Sequence, residues 1–272
     1  MVRSLWSGAT GMMAQQNNVD TIAHNLANVN TTGYKTEVAE FKSLLYQTIR
    51  TRSTTANGIN KPIGSQIGLG VRNSSITSEF SQGAFLDSEN PLACAIGGNG
   101  FFGVRGEDGE TYYTRNGNFV FALNDGGGLV LTNSDGLEIL NTNGQPITFA
   151  GTYIANRFQI GQDGQIYYPD GDGNLQTTGI TLGLWQFQNP KGLDKVGDTM
   201  YHATNASGEA LNENTNANVQ KSTIRQGYLE GANVSIASEM VNMIIAQRAY
   251  ESNSKSITTS DQMLQTANQL KS

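Results

Sequence analysis

One glycine pattern in the sequence matches a nucleotide-binding fingerprint. Residues 98–103, Gly-Asn-Gly-Phe-Phe-Gly, have the spacing G-x-G-x-x-G. This fingerprint binds a dinucleotide only where a helix begins directly after the glycines, because the helix N-terminus receives the pyrophosphate. Here Phe101 to Arg105 has the composition of a strand, and Gly106 follows it. We therefore expect no bound cofactor at these glycines.

An acidic stretch at residues 170–174, Asp-Gly-Asp-Gly-Asn, resembles the start of a calcium-binding loop. An EF-hand loop needs Gly at its sixth position and Glu at its twelfth. This chain has Leu175 and Thr181 there. The stretch is therefore predicted to be the tip of a β-hairpin and not a metal site.

The other residues that could do catalytic or metal chemistry are scattered. His24 and His202 have no further ligand at the spacing of a zinc site, and no G-x-S-x-G elbow occurs. The single thiol, Cys94, lies in an apolar run, which is typical of a buried structural cysteine. The 23 acidic residues leave a carboxylate pair for glycoside hydrolysis open, but nothing singles one out. We expect no catalytic residue, no metal and no cofactor.

Charge and hydropathy restrict the class of partner. The formal net charge is −6 and no basic run occurs, which disfavours a nucleic-acid partner. No segment approaches the ~20 apolar residues of a membrane span. The first residues lack the continuous apolar core of a Sec-type signal peptide, so none is predicted.

Glycine and proline divide the chain into three zones. All five prolines lie between residues 62 and 190, and glycine is absent from 34–57 and from 232 to the end. Because both residues disfavour helix interiors, helices are predicted at the two ends. The predicted domains are a helical assembly domain (1–34 and 232–272), a connector or extended loop (35–80) and an all-β domain (81–231).

Apolar residues recur every seven positions in both flanks, which predicts helices at about 4–28 and 235–271 that pair as a coiled coil. Ser4 and Ser235 are the expected caps. From Ser4 to Tyr34 the only formal charge is Asp20, although a helix facing water normally carries more. Enclosure by copies of the same chain explains both features, and the predicted homo-oligomer contacts are Leu5, Met12, Val19, Leu26, Ile236, Met243, Tyr250, Ile257 and Leu264.

The centre of the chain is typical of antiparallel β-structure. Turn dipeptides separate short runs rich in aromatic and β-branched residues, at intervals that suit hairpins. The dipeptides are Asp108-Gly109, Asn116-Gly117, Asp125-Gly126, Asp135-Gly136, Asn143-Gly144, Asp163-Gly164 and Asp172-Gly173. Together with the terminal helices they predict an α+β fold with a central antiparallel all-β domain.

Several segments resemble bacterial flagellar rod and hook proteins. The N-terminal signature is Asn25 to Lys35, in which Asn25, Asn28 and Gly33 carry the motif. Similar segments follow in the family's order at 96–102, 113–119, 226–230, 239–251 and 261–264. Gly231-Ala232 departs from the Ser-Asn pair that is more usual in the family.

Within the family, residues 44–50 and 66–72 resemble the distal rod proteins. The resemblance implies type III export without a cleaved signal, an inner tube of terminal helices, and a periplasmic rod that transmits torque from motor to hook. The implied partners are further copies of the chain, the adjacent rod and hook proteins, and the basal-body ring proteins. Hook or another rod component is the alternative within the family, and an exported enzyme acting on peptidoglycan is the alternative of another class.

Overall fold

The computed structural model describes residues 2–50, 64–124, 126–151, 153–170, 173–216 and 219–270. Over these residues the fold is α+β, with one helix near each end and antiparallel strand pairs between them. The predicted fold class is confirmed at this level. The chain divides into two compact units: unit 1 is Met1–Ala27, Glu37–Thr77 and Ser235–Ser272, and unit 2 is Asn28–Thr36 and Ser78–Val234.

The helices are α1 (Val2–Ala27) and α2 (Ile236–Gln269). The strands that the structure describes are β1 (Glu37–Ser43), β2 (Tyr46–Arg50), β3 (Ser65–Gly68), β4 (Val71–Ser78), β5 (Phe85–Asp87), β6 (Cys94–Gly97), β7 (Phe101–Arg105), β8 (Thr111–Thr114), β9 (Val120–Leu123), β10 (Leu129–Thr132), β11 (Glu138–Ile139), β12 (Thr148–Phe149), β13 (Gln159–Ile160), β14 (Gln165–Pro169), β15 (Leu175–Thr181), β16 (Leu184–Gln186), β17 (Asp194–Gly197), β18 (Met200–His202), β19 (Leu211–Asn212), β20 (Thr223–Gln226) and β21 (Tyr228–Glu230).

Both helices lie where the seven-residue period places them, but their caps differ from prediction. Helix α1 begins before Ser4, so Ser4 is not its cap; its Oγ instead lies 3.2 Å from Ser260 Oγ on α2. Ser235 does occupy the N-cap of α2, yet its side chain makes no capping bond, and only its carbonyl accepts the Glu239 N–H. The period locates a helix well, whereas its first residue depends on local hydrogen bonds.

Helices α1 and α2 pack along each other in unit 1 through small residues. A Cβ added at Gly8 would lie 2.9 Å from Ile257 Cγ1, and one at Gly11 would lie 2.8 Å from Asn253 Nδ2. Each glycine costs helix propensity of about 1 kcal/mol relative to Ala. In return the side chains of Ile257 and Asn253 on α2 approach the α1 backbone closely at these positions.

Residues 35–80, predicted as a connector or extended loop, contain two antiparallel ribbons: β1 pairs with β4, and β2 pairs with β3. The turn between β3 and β4 lies near α1, where the Val71 N–H donates to Thr10 Oγ1 at 3.4 Å. Much of the segment is rich in Ser, Thr and Asn, and this composition hid the strands. Residues 51–63 of this prediction lie outside the described residues.

Unit 2 contains the larger sheets. One runs in the order β12-β10-β11-β7-β8-β18-β17, with β9 on β10 and with β16 joining β7 to β19. A three-stranded sheet has the order β13-β14-β15, and the pairs β6–β20 and β5–β21 stand apart from it. The core is aliphatic and aromatic and includes Ile96, Phe102, Val104, Phe119 and Ile139, all fully buried. A second, aromatic cluster surrounds Phe101, Tyr113 and Trp185.

Most of the predicted hairpin turns form, with one exception. Gly109, Gly136, Gly144, Gly164 and Gly173 have positive φ in turns between paired or bridged segments. Asn116-Gly117 does not join a hairpin, because β8 pairs with β7 and β18 while β9 pairs with β10. Instead, the Gly117 carbonyl accepts a hydrogen bond from the Cys94 N–H. Asp125 and Asp172 lie outside the described residues.

Candidate functional site

The glycines at 98–103 are used inside unit 2. Strand β7 begins within the pattern at Phe101, as predicted, so the glycines do not precede a helix. The Gly100 N–H donates to Ser222 Oγ at 3.0 Å, and Ser222 Oγ donates in turn to the buried carboxylate of Glu213 at 2.8 Å. The Gly100 N–H is therefore used within the fold and is not free to bind a phosphate.

The other residues considered for chemistry are also structural or isolated. Cys94 is fully buried, and burial raises the pKa of its thiol to about 12, so it stays protonated and unreactive near neutral pH. His24 lies in unit 1 and His202 in unit 2. Among the described residues, no group of three His, Cys, Asp or Glu side chains could hold a metal ion. Within the same residues neither helix has an apolar stretch that could span a membrane.

The predicted assembly residues border the contact between α1 and α2. Seven of them are half-buried beside it: Leu5, Met12, Val19, Leu26, Met243, Ile257 and Leu264. The other two, Ile236 and Tyr250, are exposed. The stripe residues thus lie partly beside the contact between the helices and partly on the exposed surface of unit 1.

Apart from Ile22, which is 4% exposed on α1, the most buried positions of the helix pair are small or polar. On α1 they include Ala14, Thr21 and Asn25, and on α2 they are Ala246 and Ser260. Such side chains bury little apolar area, and burial stabilises by roughly 25 cal/mol per Å². Except at Ile22, the most buried part of this contact therefore contributes little stability through apolar burial.

Several large apolar residues of the two helices lie outside the seven-residue stripe and point outward. Trp6 and Met13 are 66% and 67% exposed on α1, and Ile244 and Ile245 are 58% and 61% exposed on α2. The signal was present in the sequence: Met240 to Ile245 is apolar at five of six successive positions, which no single helix face can hold.

Two open grooves lie beside helices α1 and α2 in unit 1. One, of about 430 Å³, is lined by α1 and α2 through Gln16, Val19, Gln247, Tyr250 and Glu251. The other, of about 300 Å³, is shared by α1, α2 and β1, and its wall includes Phe41 and Ile245 together with Glu37 and Glu239. Both grooves offer apolar walls with polar rims, which suits protein contacts.

The motif residues Asn25 and Asn28 stabilise the end of α1. Asn25 is 1% exposed; its Oδ1 accepts the Glu37 N–H and its Nδ2 donates to the Glu37 carbonyl, both at 2.8 Å. Nδ2 also lies 3.4 Å from Glu239 Oε2 on α2. Asn28 accepts the Thr31 N–H on its carbonyl and the Thr31 hydroxyl on its side chain. Both asparagines fix the chain where it leaves the helix.

Gly33 occupies a position that other residues cannot take easily. Its φ is +73°, and a Cβ there would lie 2.6 Å from the backbone nitrogen of Asn116. Its N–H donates to the Glu230 carbonyl at 2.8 Å. The motif glycine is thus required by close approach of three chain segments within unit 2.

Beside Gly33 lies a cluster of three buried charges, Lys35, Arg115 and Glu230, whose side chains are 0%, 1% and 0% exposed. Lys35 Nζ donates to Glu230 Oε1 at 2.7 Å, and Arg115 Nη1 donates to Glu230 Oε2 at 3.2 Å. The Gly83 N–H also donates to Oε1 at 3.0 Å. All three residues lie in separate segments that resemble the family, but nothing in the sequence indicates that they meet.

The cluster has one positive charge in excess. Burial lowers the pKa of Lys35 below its ordinary value of 10.5, with Arg115 acting in the same direction and Glu230 opposing it. Burial also lowers the pKa of Arg115, against the attraction of Glu230. The face of the Phe101 ring, 5.0 Å from Arg115 Cζ, gives the guanidinium a further favourable contact.

Comparison with known proteins gives three matches along the chain. Residues 5–35 match the family described as flagella basal body rod protein. Residues 95–168 match the D1 domain of the flagellar hook protein FlgE/F/G family, and residues 225–270 match the C-terminal family of flagellar basal body rod FlgEFG proteins. Each match contains one member of the charge cluster. The class defined is therefore the flagellar rod and hook proteins.

Whole-chain relatives narrow this class. The chain is 40% identical to the flagellar basal-body rod protein FlgG of Borreliella burgdorferi over 272 residues, covering 100% of this chain and 99% of the relative. It is 39% identical to FlgG of Caulobacter vibrioides, with full coverage of both. Identity to the flagellar hook-basal body complex protein FlhP of Bacillus subtilis is 30%, with 97% of each covered. The chain belongs to the FlgG family.

Replacing Gly33 by alanine should destabilise unit 2 more than the same change at Gly136. Both glycines have positive φ, but nothing lies within 4 Å of a Cβ at Gly136. The control should lose about 1 kcal/mol of unfolding free energy through backbone strain, and Gly33→Ala about 3 kcal/mol because overlap adds to it. Urea unfolding followed by Trp185 fluorescence, in a Trp6→Phe background, measures both. Equal losses would show that the approach of Asn116 is unimportant.

The stability difference between the native chain and Lys35→Met should grow as pH rises from 8 to 10. Because the folded pKa of Lys35 lies below its unfolded value, the unfolded chain holds the proton over a range where the folded chain has released it. Stability from this group therefore rises with pH, while groups common to both proteins cancel. Urea titrations of both proteins at several pH values give the difference, and a decrease with pH would contradict the stated direction.

Proposed function

We propose that the chain is a structural subunit of the bacterial flagellar basal-body rod, of the distal rod type, whose copies join through unit 1. Membership of the FlgG family supports the rod assignment. The observation that carries the mode of assembly is the distribution of side chains on the helices. Apart from Ile22, the most buried residues between α1 and α2 are small or polar, and several large apolar residues face outward.

Outward apolar residues on two grooved helices favour contacts between different faces of neighbouring copies. Contacts of this heterologous kind form open helical filaments when their rotation does not close a ring. The exposed ridge at Ile244 and Ile245 and the half-buried stripe residues together offer such faces. We infer that the helices form a coiled-coil tube in which all nine stripe residues, with Trp6, Met13, Ile244 and Ile245, make the contacts.

The remaining parts of the proposal follow from the rod assignment. The assembly domain would comprise the helices within the predicted bounds 1–34 and 232–272, of which 28–34 and 232–234 belong to unit 2. The β domain would lie outside the tube. The chain would be exported by the type III route without a cleaved signal peptide and transmit torque from motor to hook in the periplasm. Adjacent rod and hook proteins, and basal-body ring proteins, would be its partners.

The alternative of another class is an exported enzyme acting on peptidoglycan. One groove of unit 1 does contain two carboxylates, those of Glu37 and Glu239, as a glycoside hydrolase would require. Both lie in unit 1 with the helices, and Glu239 lies within hydrogen-bonding distance of Asn25 Nδ2. A muralytic assay on the purified chain separates the two functions: measurable lysis supports the enzyme.

Replacing Ile244 by aspartate should abolish swimming while leaving the isolated chain folded. The side chain is 58% exposed, so the charge stays in water in the monomer but would be buried at a contact between copies. Met243→Asp should abolish swimming as well, although Met243 also borders α1. Swimming in soft agar and circular dichroism of the purified variants are the measurements.

Ile244→Leu is the matched control, because it keeps the apolar side chain at the same place and should swim normally. Electron microscopy of basal bodies from the Ile244→Asp strain should show rods that stop before the hook. Normal swimming by Ile244→Asp would remove this ridge from the assembly surface. Normal swimming by Met243→Asp would do the same for the stripe.

Amides of both helices should exchange hydrogen at least about tenfold faster than those of β6 in the purified monomer. The small residues between the helices stabilise them weakly, and most helical stability comes from packing of an apolar face. Exchange measured by mass spectrometry at micromolar concentration, with light scattering to exclude oligomers, tests this. Helices as protected as β6 in a verified monomer would contradict it.

A further inference from the structure

We propose that the buried charges of Lys35, Arg115 and Glu230 are positioning residues, which hold the two junction segments of unit 2 in one fixed arrangement. The junction segments are residues 28–36, which follow α1 in the chain, and residues 230–234, which precede α2. That fixed arrangement depends only on contacts within unit 2. Its role in making force transmission stiff rests on the proposed function.

The cluster joins segments that are far apart in the chain. Lys35 and Glu230 belong to the two junction segments, and Arg115 directly follows β8 in the body of unit 2. Lys35 Nζ also donates to the Ser81 carbonyl at 2.7 Å. The single carboxylate of Glu230 therefore connects both junction segments to the sheet that holds Arg115 and to the loop at Gly83.

Backbone and amide bonds hold the same segments beside the charges. Asn233 Oδ1 accepts the Thr36 N–H at 2.7 Å and the Thr36 hydroxyl at 2.8 Å, and Asn233 Nδ2 donates to the Glu79 carbonyl at 2.8 Å. The Gly231 N–H donates to the Ala84 carbonyl at 2.8 Å. Each junction segment is thus fixed at more than one point.

Stability alone does not account for three buried charges. Removing charges from water is costly, and apolar residues of similar volume often replace a buried ion group with unchanged or higher stability. What charges supply is direction: a carboxylate with three donors fixes the partners' positions, whereas apolar contacts are non-directional. The cluster is therefore suited to specifying one arrangement.

The junction segments are the covalent connections between unit 2 and the helices. Any force that passes along the chain between a rod's helical tube and its β units must pass through them. In the proposed rod subunit, a fixed pair of junctions would make that transmission stiff, and loose junctions would let each β unit yield under load.

The test removes the charges but keeps one acceptor. The triple variant Lys35→Met, Arg115→Met, Glu230→Gln retains an oxygen for the Gly83 N–H. We expect its thermal unfolding midpoint to stay within about 4 °C of the native chain, a small shift for a domain of this size. The Gly33 and Gly231 amides should exchange hydrogen at least about tenfold faster, with exchange at Cys94 to Gly97 unchanged.

An exposed ion pair in the same region provides the matched control. Lys191 Nζ lies 3.0 Å from Glu79 Oε2, and both side chains are about half exposed. The double variant Lys191→Met, Glu79→Gln removes the same kinds of charge beside a junction contact. It should leave exchange at Gly33 and Gly231 unchanged.

If the Gly33 and Gly231 amides of a folded triple variant exchange hydrogen at the native rate, the positioning role is overturned. If the triple variant does not fold, the native chain decides: Gly33 and Gly231 should exchange within about tenfold of Cys94 to Gly97, and exchange as fast as the turn glycine Gly109 overturns the proposal. Cells carrying a folded triple variant should build flagella but swim slowly in viscous medium, and native speed would overturn the mechanical role. A deletion strain that still builds complete rods would refute the proposed function while leaving the exchange result to judge the cluster.

Discussion

The two helices carry more apolar surface than they can bury against each other within one chain, and the rest of the structure depends on this excess. At ~1.5 Å per residue, the 34 residues of α2 extend roughly 51 Å and the 26 residues of α1 roughly 39 Å. One helix covers only one side of another, and here that side is mostly small or polar. Ile244 and Ile245 have no place in such a pair, so burying them requires further helices.

Unit 2 has the opposite character. Its core residues, such as Ile96, Phe102 and Ile139, are fully buried within the unit. It also carries most of the chain's negative charge: eight Lys and Arg against 17 Asp and Glu, compared with nine and six in unit 1. Like charge opposes association of unit 2 with its own copies, and salt screens this repulsion. This charge distribution favours the proposed self-association through unit 1.

The sequence predicted those features that depend on short-range patterns. A seven-residue apolar period located both helices, and Asp-Gly and Asn-Gly dipeptides located most hairpins. The hairpin turn predicted at Asn116-Gly117 was wrong. There the Gly117 carbonyl instead accepts a hydrogen bond from the Cys94 N–H. The ribbons in residues 37–50 and 65–78 were missed because pairing across a polar segment leaves little periodicity.

The charge cluster could not be predicted for a different reason. Lys35 and Glu230 are 195 residues apart, and single charged residues are usually solvated. Resemblance to the family picked out the segments that contain them, but a motif does not say which of its residues meet. The sequence did not indicate the burial of Arg115 either, because Arg115 lies beside Asn116-Gly117, a dipeptide that predicts a turn.

The motifs by which the chain resembles its family thus serve two kinds of requirement. Asn25, Gly33 and Lys35 meet geometric demands that few other residues satisfy: paired backbone bonds, a positive φ beside another backbone, and a buried ion pair. An assembly contact between helices asks only for apolar side chains of suitable volume, which several residue types provide. Family signatures therefore mark the internal joints of the subunit most sharply. The surfaces proposed to build the rod are indicated by exposure and packing instead, as at Ile244 and Ile245.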